Sequence, residues 1–557
     1  MSHFSSSLSR PPPFTFLKHL LEACKTLKSL EQVHTQIIQK GYEQDHKLIT
    51  NFISLCTSLT SSLSYPTSVF ERVVQPNIYL WNAIINSYCK HSSLVNAISV
   101  FRRMKSSLNV TPDHCTFPSL MKACAKDLAL REGRVVHGLA VKCGTNTDVY
   151  VGSSLVDFYG KCKEIECARK VFDEMREMSV DNVVSWTAMI VGYWEIGDVF
   201  EAKKLFDEMP LRNSISWNAM ICGFVKICDL ETARKLFDEM PENWKTAESF
   251  TSMIDGYAKA GDMASARMLF EQAKEKDIFS WSALIWGYSQ NGQPTEALKV
   301  FNDMQIANVK PDEHIMVSLM SACSQLSCLE LARWVDSYIS QSTLDLNQDH
   351  VATARIDMNA KCGNLERAQM LFDHMPKCNV FSYCSMIHGL SIHGRGQHAV
   401  MLFDRMLSEG LVPDNVAFTV ILTACSRAGL LEEGCRFFDI MTKKYSLNPS
   451  PDQYACLVDL LGRSGRLRDA YEILKTMPVE PHAGAWGALL RACKLHWDVE
   501  LGEEIAQRIF ELDPLDGGNY VLLSDLYATV DRWLDVSSLR FKMSKRGIRK
   551  IPGCSWI

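Results

Sequence analysis

The chain has 557 residues, of which 47% are apolar, and 59 lysines and arginines face 64 aspartates and glutamates, for a formal net charge of −5. This apolar content excludes disorder along the whole chain. No run approaches the roughly 18 uninterrupted apolar residues of a membrane-spanning helix, so no membrane partner is expected. The acidic balance argues against a nucleic-acid partner, whose binding surface is normally basic.

The first helical pattern begins near Phe14, after a leader of different composition. Residues 1–13 are rich in Ser and Pro and contain no acidic residue. This composition is consistent with a short transit peptide, and a disordered leader is the alternative.

The chain has twenty cysteines, and several of them lie in a recurring Ala-Cys dipeptide. No CxxC spacing for zinc is present. An Ala-Cys pair occurs at Cys24, Cys124, Cys323, Cys425 and Cys493. We interpret these cysteines as small apolar residues on helix faces. The alternative is a disulfide framework, which requires an oxidising compartment. The first four of the Ala-Cys cysteines are spaced by about 100 residues, or twice that, which indicates an internal repeat.

A shorter repeat of about 31 to 38 residues covers almost the whole chain. Residues 185–190 (SWTAMI) return 31 positions later at 216–221 (SWNAMI), and residues 204–210 (KLFDEMP) return at 235–241. One array of repeats is therefore expected in place of the three or four ordinary domains that the length alone suggests.

Each unit predicts two helices. The first carries apolar residues at i, i+3, i+4 and i+7, namely Trp186, Met189, Ile190 and Tyr193. Asp198 suits the N-cap of a second helix with the same spacing, formed by Ala202, Leu205, Phe206 and Met209. One hairpin cannot bury its apolar face alone, so the fold class is predicted to be all-α, a solenoid of stacked helix-turn-helix hairpins.

The motifs W-N-A-M-I, G-Y-x-K-x-G-D and A-x-x-L-F-D-E-M-P resemble the pentatricopeptide repeat (PPR) of plant organellar proteins. The alternation of unit types resembles the PLS subclass, and residues 485–493, 520–528 and 552–557 are similar to its E domain. The resemblance implies a right-handed superhelix, with about fourteen P, L and S units over 14–482 and an E domain over 483–557. A tetratricopeptide-like protein scaffold is the alternative, although its steady 34-residue pattern is absent.

Such arrays read RNA with two or three side chains per base, and the resemblance implies the same here. We number each unit so that the aromatic before the variable polar residue is position four. Position five is then a short polar residue in eight units: Thr50, Asn82, Ser153, Thr187, Asn218, Thr251, Ser282 and Thr353. Helix N-capping is the alternative role, but these residues fall inside the predicted first helix.

The family's code pairs position five with the last residue of the unit. The last residues are Asn77, Asp113, Asn182, Asn213, Thr246, Asp277, Asp312 and Asn379 in the same order. The code then implies A for Thr50, U for Asn82, A for Ser153 and Thr187, a pyrimidine for Asn218, G for Thr251 and Ser282, and A for Thr353. Pro118, Val317 and Cys384 have no assignment. The predicted target core in single-stranded organellar RNA is A-U-x-A-A-Y-G-G-x-A.

Position thirteen is a cation in eight units. These residues are Lys90, Lys126, Lys161, Lys226, Lys259, Lys361, Arg427 and Arg463. A stripe of cations along the array would contact RNA phosphates. The alternative is that they only complement the dipole at the end of the first helix.

No catalytic or metal-binding motif is present, because the H-x-E and C-x-x-C pairs of a zinc deaminase are both missing. No enzyme activity, cofactor or metal is therefore expected. The resemblance implies a site-specificity factor for organellar C-to-U RNA editing, which recruits a DYW-type deaminase and other editing factors in trans. A splicing or transcript-stabilisation factor is the alternative. The family is organellar, and the mitochondrion is favoured over the chloroplast.

Overall fold

The computed structural model describes residues 13–60, 62–107, 110–342, 344 and 348–548. Most of the predicted leader and the C-terminal motif at 552–557 lie outside these residues. The described part is built of α-helices and contains no strand. None of its helices is long and apolar enough to cross a bilayer.

The helices of the described residues follow one another in a regular order. They are α1 (Pro13–Glu22), α2 (Leu27–Gln39), α3 (His46–Leu59), α4 (Ser64–Glu71), α5 (Ile78–Lys90), α6 (Leu94–Ser106), α7 (Thr116–Lys126), α8 (Leu130–Lys142), α9 (Val149–Lys161), α10 (Ile165–Glu177), α11 (Val183–Ile196), α12 (Val199–Glu208), α13 (Ser214–Lys226), α14 (Leu230–Glu239), α15 (Ala247–Lys259), α16 (Met263–Gln272), α17 (Ile278–Gln290), α18 (Pro294–Ile306), α19 (Glu313–Leu326), α20 (Leu329–Gln341), α21 (Asp349–Lys361), α22 (Leu365–Asp373), α23 (Val380–Ile392), α24 (Gly396–Ser408), α25 (Asn415–Ala428), α26 (Leu431–Asp439), α27 (Pro451–Arg463), α28 (Leu467–Thr476), α29 (Ala483–His496), α30 (Val499–Leu512), α31 (Gly517–Thr529) and α32 (Trp533–Lys545).

Each odd-numbered helix and the helix that follows it form one hairpin, so the predicted first helix of every unit is odd-numbered. Two short turns interrupt this order: a 3₁₀ turn at Glu242–Trp244 before α15 and a π-helical turn at Ile440–Lys444 after α26. The predicted E-domain region contains the last two described hairpins, α29–α30 and α31–α32. The all-α fold of stacked hairpins is confirmed.

The chain divides into two compact units. The first comprises Met1–Ala260 with Glu271–Lys274, and the second comprises Gly261–Phe270 with Glu275–Ile557. Helices α1–α15 belong to the first unit and α17–α32 to the second, while α16 is shared.

Within each compact unit, an aromatic contact joins several pairs of successive hairpins. A phenylalanine of the second helix packs edge-on against the position-four aromatic of the next first helix. The ring centroids are 5.0 Å apart for Phe172 with Trp186, and 5.0 Å apart for Phe372 with Tyr383. Such edge-to-face pairs contribute about 0.5–1.5 kcal/mol beyond the area they bury.

The predicted apolar stripes form the core, as the unit from Val183 shows. Every apolar residue named for its two helices is at most 9% exposed. The Ala-Cys cysteines Cys124, Cys323, Cys425 and Cys493 are fully buried on the first helices. Cys24, the fifth, is half-buried and follows the end of α1, so burial on a helix face holds for four of the five. None of the described cysteines forms a disulfide.

Candidate RNA interface

The predicted base-reading side chains of position five lie in the second turn of the first helices. Each of the eight is the fifth residue of its helix, well past the cap. Three of their hydroxyl groups donate a hydrogen bond to the carbonyl oxygen one turn earlier: Thr50 to His46 at 2.6 Å, Ser153 to Val149 at 2.7 Å and Thr187 to Val183 at 2.7 Å. These bonds fix the side-chain rotamers and leave hydroxyl lone pairs available.

The last residues of the units are the N-caps of the following first helices, which the sequence analysis did not anticipate. Asn182 caps α11, because its Oδ1 accepts from the Ser185 amide at 2.9 Å. The other caps are Asn77, Asn213, Thr246, Asp277, Asp312 and Asn379. Asp113 holds the turn before α7 in the same manner, with Oδ1 3.0 Å from the amides of Cys115 and Thr116.

A serine three residues after the cap was the sequence feature that could have revealed this role. Ser185, Ser216 and Ser382 each complete a capping box with Asn182, Asn213 and Asn379. The cap uses one oxygen of each side chain. An asparagine therefore keeps its NH₂ group outside the cap, and an aspartate keeps its second oxygen outside the cap. The NH₂ group of Asn379 donates to Asp349 Oδ2 at 3.1 Å.

Among the described residues, hydrogen bonds between position five and the last residue of the unit include those of three pairs. Asn82 Nδ2 donates to Asp113 Oδ1 at 3.0 Å, and Ser153 Oγ lies 3.3 Å from Asn182 Oδ1. In the third pair, Asn218 Nδ2 lies 3.5 Å from Thr246 Oγ1.

The Asp113 carboxylate stays charged within its pair. Burial on its own raises the pKa of a carboxyl group. Hydrogen bonds from Asn82, Thr116 and Cys115 outweigh this effect and lower the pKa of Asp113 below its ordinary value.

Two base-reading candidates hold buried polar atoms without partners. Asn218 Oδ1 and Thr353 Oγ1 make no hydrogen bond to the described residues. A buried polar atom without a hydrogen bond costs free energy, so such atoms at these positions fit a ligand that completes them.

A cavity of about 300 Å³ lies along α7, α9, α11 and the start of α13. Its lining includes the base-reading candidates Ser153, Asn182, Thr187 and Asn213. Thr187 and Asn213, which are not seen to hydrogen-bond directly to each other, therefore line the same space.

Exposed apolar side chains mark position two of the first helices, another feature that the sequence analysis missed. They are between 60% and 71% exposed and comprise Tyr79, Tyr150, Val184, Ile215, Phe279, Phe381 and Val416. Tyr150, Val184 and Ile215 line the cavity. The aromatic ones offer flat surfaces on which nucleobases can stack, and the aliphatic ones offer apolar contact.

The position-thirteen cations lie at the ends of the first helices, but most are neutralised locally. Five of the eight form an ion pair: Lys161 with Asp157, Lys226 with Glu195, Lys259 with Asp255, Lys361 with Asp357 and Arg463 with Asp459. Lys126 donates to Ser92 Oγ at 2.6 Å. Lys90 and Arg427 make no ion pair within the described part of the chain. The cations are therefore unequal in their availability to RNA phosphates.

One group of potential metal ligands occurs among the described residues, at Asp113, His114 and Cys115. His114 and Cys115 are exposed, and the Asp113 carboxylate is already held by hydrogen bonds.

Family models match most of the chain. The PPR repeat family model matches residues 76–126, 276–325 and 378–427. The PPR repeat model matches 153–180, 184–214, 215–244, 248–278, 351–380, 416–445 and 454–480. The E motif model matches 496–557.

The chain is also similar to curated proteins of Arabidopsis thaliana. A putative pentatricopeptide repeat-containing protein is 53% identical, over 98% of both chains. The protein DOT4, named as chloroplastic, is 37% identical over 98% of this chain and 63% of its own length. A relative named as mitochondrial is 35% identical over 97% of this chain and 85% of its own length.

Among solved structures, PPR10 in complex with an 18-nucleotide psaJ RNA element matches with a TM-score of 0.52. The identity is 15%, and the match covers 94% of this chain and 90% of PPR10. At this identity, the likeness concerns the fold.

Proposed function

Because the chain belongs to the pentatricopeptide repeat family, we propose that it binds single-stranded RNA sequence-specifically and selects sites for organellar C-to-U editing. The observation that carries the proposal is the pairing of position five with an N-cap that keeps one polar atom free, as in Asn82 with Asp113 and Ser153 with Asn182. PPR10, whose fold is similar, forms a complex with RNA.

The chemistry of the free cap atom supports the assigned bases. Guanine and uracil carry an N–H group on their Watson–Crick edge, whereas adenine and cytosine carry an unprotonated ring nitrogen there. The free oxygen of an aspartate accepts from the former, and the free NH₂ of an asparagine donates to the latter. The cap Asp312 is thus suited to G, and Asn182 and Asn213 to A.

The side chain at position five would discriminate between a purine and a pyrimidine. Threonine and serine are short and leave room for a purine, while Asn82 and Asn218 extend further and suit a pyrimidine. The exposed apolar residues of position two would hold each base, by stacking where they are aromatic, as Tyr150 is, and by apolar contact where they are aliphatic, as Val184 is. The proposed target core is A-U-x-A-A-Y-G-G-x-A.

The chain would choose the site, and another protein would carry out the deamination. The E motif at 496–557 is proposed to recruit a DYW-type deaminase and other editing factors in trans. This assignment rests on the family resemblance of the tail.

RNA binding is tested with the full chain and short synthetic RNAs at one salt concentration. We expect the RNA with the proposed core to bind at least tenfold more tightly than a scrambled RNA of the same composition. Equal affinity for the two would falsify the proposed sequence specificity.

The editing role is tested by sequencing organellar transcripts from a line without the protein. We expect loss of C-to-U conversion at a site a few nucleotides 3′ of a match to the core. Intact editing together with altered splicing or transcript ends would favour the alternative role in RNA processing.

We propose the mitochondrion as the site of action, with the chloroplast as the alternative. Relatives named for each organelle support an organellar location. Imaging of a fluorescent fusion to the C-terminus decides between the two.

A further inference from the structure

Helix α7 carries two exposed lysines on one face of the candidate RNA interface. Lys122 and Lys126 are one helical turn apart, at positions nine and thirteen of the Pro118 unit. Lys122 also lines the 300 Å³ cavity, together with Ser153 and Thr187. It was not among the residues predicted to contact RNA.

Position nine has the opposite charge in four other units. There it is an aspartate, which pairs with the position-thirteen cation one turn later at 2.6 to 2.9 Å: Asp157, Asp255, Asp357 and Asp459. Such a pair cancels the charge of the cation locally. In the Pro118 unit, both positions are lysines, so two positive charges remain on the same face.

Neither lysine forms an ion pair within the part of the chain that the structure describes. Lys126 has a neutral partner, Ser92 Oγ, at 2.6 Å. The carboxylate of Asp157 lines the same cavity but lies 2.9 Å from Lys161. Asp127 follows Lys126 directly and makes no salt bridge there.

The same unit is poorly equipped to read a base. Pro118 has no side-chain donor or acceptor. Its cap partner Asp148 uses one oxygen to accept from the amides of Tyr150 and Val151, at 2.9 and 3.1 Å. The code gives this unit no base.

From these observations, we propose that the Pro118 unit anchors the RNA backbone without selecting a base. Lys122 and Lys126 contact the phosphates next to the third nucleotide of the core, between the readers Asn82 and Ser153. This inference rests on the proposed RNA-binding function. It explains how a unit without base-reading side chains can keep the strand in register.

The test measures the salt dependence of RNA affinity for the full-length protein. Dissociation constants for the core RNA are measured between about 50 and 300 mM salt for Lys122→Gln, Lys126→Gln and the double variant. Lys161→Gln is the matched control, because its lysine is exposed and lies at the end of a first helix but is paired with Asp157. Each contact with a single-stranded phosphate contributes about 0.7 to the slope of log affinity against log salt.

We expect the slope to become shallower by about 0.7 for each α7 lysine and clearly less for Lys161→Gln. Circular dichroism verifies that the variants fold. Equal slope changes for all three lysines overturn the proposal, as does a changed base preference at the third nucleotide with an unchanged slope.

These failures differ from failure of the proposed function. With equal slope changes, and likewise with a changed base preference at an unchanged slope, the wild-type protein still prefers the core RNA to its scrambled form. A wild-type protein that binds no RNA contradicts the function and the anchor together.

Discussion

At the scale of single residues, the dual role of Asn182 allows its base preference to be changed without loss of its structural role. Asparagine and aspartate are equally good N-caps, so Asn182→Asp keeps the hydrogen bond to the Ser185 amide. The substitution replaces a free donor with a free acceptor. We expect the preference at the fourth nucleotide to change from A to G by about tenfold, which corresponds to about 1.4 kcal/mol. Affinities for four RNAs that differ only at this nucleotide measure the change.

Asn182→Ala is the control for this exchange. It removes the cap as well as the free amide, so we expect a loss of about 1 kcal/mol in stability and no preference between A and G. If Asn182→Asp binds all four RNAs in the wild-type order, Asn182 acts only as a cap.

A second residue-scale prediction concerns Asp336, a buried carboxylate on α20. Its oxygens accept from Arg355 at 2.6 Å and from Arg367 at 2.9 Å. Removal of the carboxylate leaves Arg355, which is 6% exposed, as an unpaired buried charge. We expect Asp336→Ala to destabilise α20–α22 by about 3–5 kcal/mol, seen as faster amide hydrogen exchange there.

The exposed pair Arg169–Asp173 provides the comparison. Its atoms are 3.0 Å apart, and Asp173 is 46% exposed, so Asp173→Ala should cost less than about 1 kcal/mol. Similar effects of the two substitutions would contradict the structural importance of the buried cluster.

At the scale of helices, the spacing of α8 and α9 depends on one glycine. A Cβ at Gly133 would lie 2.0 Å from the ring of Phe158, which is fully buried on α9. Gly138 lies on the same helix, with nothing within 4 Å of its Cβ position. Alanine favours a helix over glycine by about 1 kcal/mol at both positions.

We therefore expect opposite effects from two alanine substitutions on one helix. Gly138→Ala should raise the melting temperature, because only the propensity gain applies. Gly133→Ala should lower it, since overpacking against a buried ring costs about 1–3 kcal/mol. Thermal unfolding followed by circular dichroism measures both. A stabilising Gly133→Ala would mean that α8 and α9 can separate without cost.

The helices themselves were predictable, because the repeat shows the same apolar spacing many times. The position-five residues could also be placed by counting within a unit. Counting alone does not locate the irregular segment of the Asn218 unit, which is the 3₁₀ turn at Glu242–Trp244 before α15 begins at Ala247.

Contacts between units were not predictable, since repeat spacing does not show which side chains meet in space. Asp336 illustrates this limit. It stands four residues after buried Ala332, where Phe301 stands after Ala297 in the preceding hairpin. The sequence shows that the aromatic is missing, but its replacement by an ion cluster with Arg355 and Arg367 depends on two other helices. Among the ion pairs of the position-thirteen cations, Lys226–Glu195 joins two units and is of this kind. The other four are i,i+4 pairs within one helix, which helical spacing alone could have predicted.

At the scale of the whole molecule, the net charge of −5 conceals a charge distribution organised by unit. Many charged side chains occur as pairs on exposed helix faces, which add little stability individually. Lys122 and Lys126 are exceptions on the face that lines the cavity. The overall acidity is therefore compatible with a local contact to RNA phosphates.

The buried cysteines of the Ala-Cys pairs are expected to make the folding stability of the whole molecule fall at high pH. Burial raises the pKa of Cys124, Cys323, Cys425 and Cys493 from 9.0 to about 12. Below pH 9 the thiols are protonated in the folded and the unfolded chain alike, and their contribution to the free energy of unfolding is fully present. Between about pH 9 and 12 the unfolded chain releases these protons while the folded chain keeps them, so stability falls as pH rises.

The expected loss is on the order of 1 kcal/mol per thiol for each pH unit within that window. We expect the melting temperature to be constant between pH 7 and 8.5 and to fall steeply by pH 10.5. Tyr527, whose pKa is raised to about 12, adds to the fall.

A variant with the four cysteines replaced by alanine should start from a lower melting temperature, because it loses packing, but should show a shallower pH dependence. Parallel curves for the variant and the wild type would show that the buried thiols are not the cause. The four cysteines are distributed over both compact units, so the alkaline transition should affect amide exchange throughout the chain.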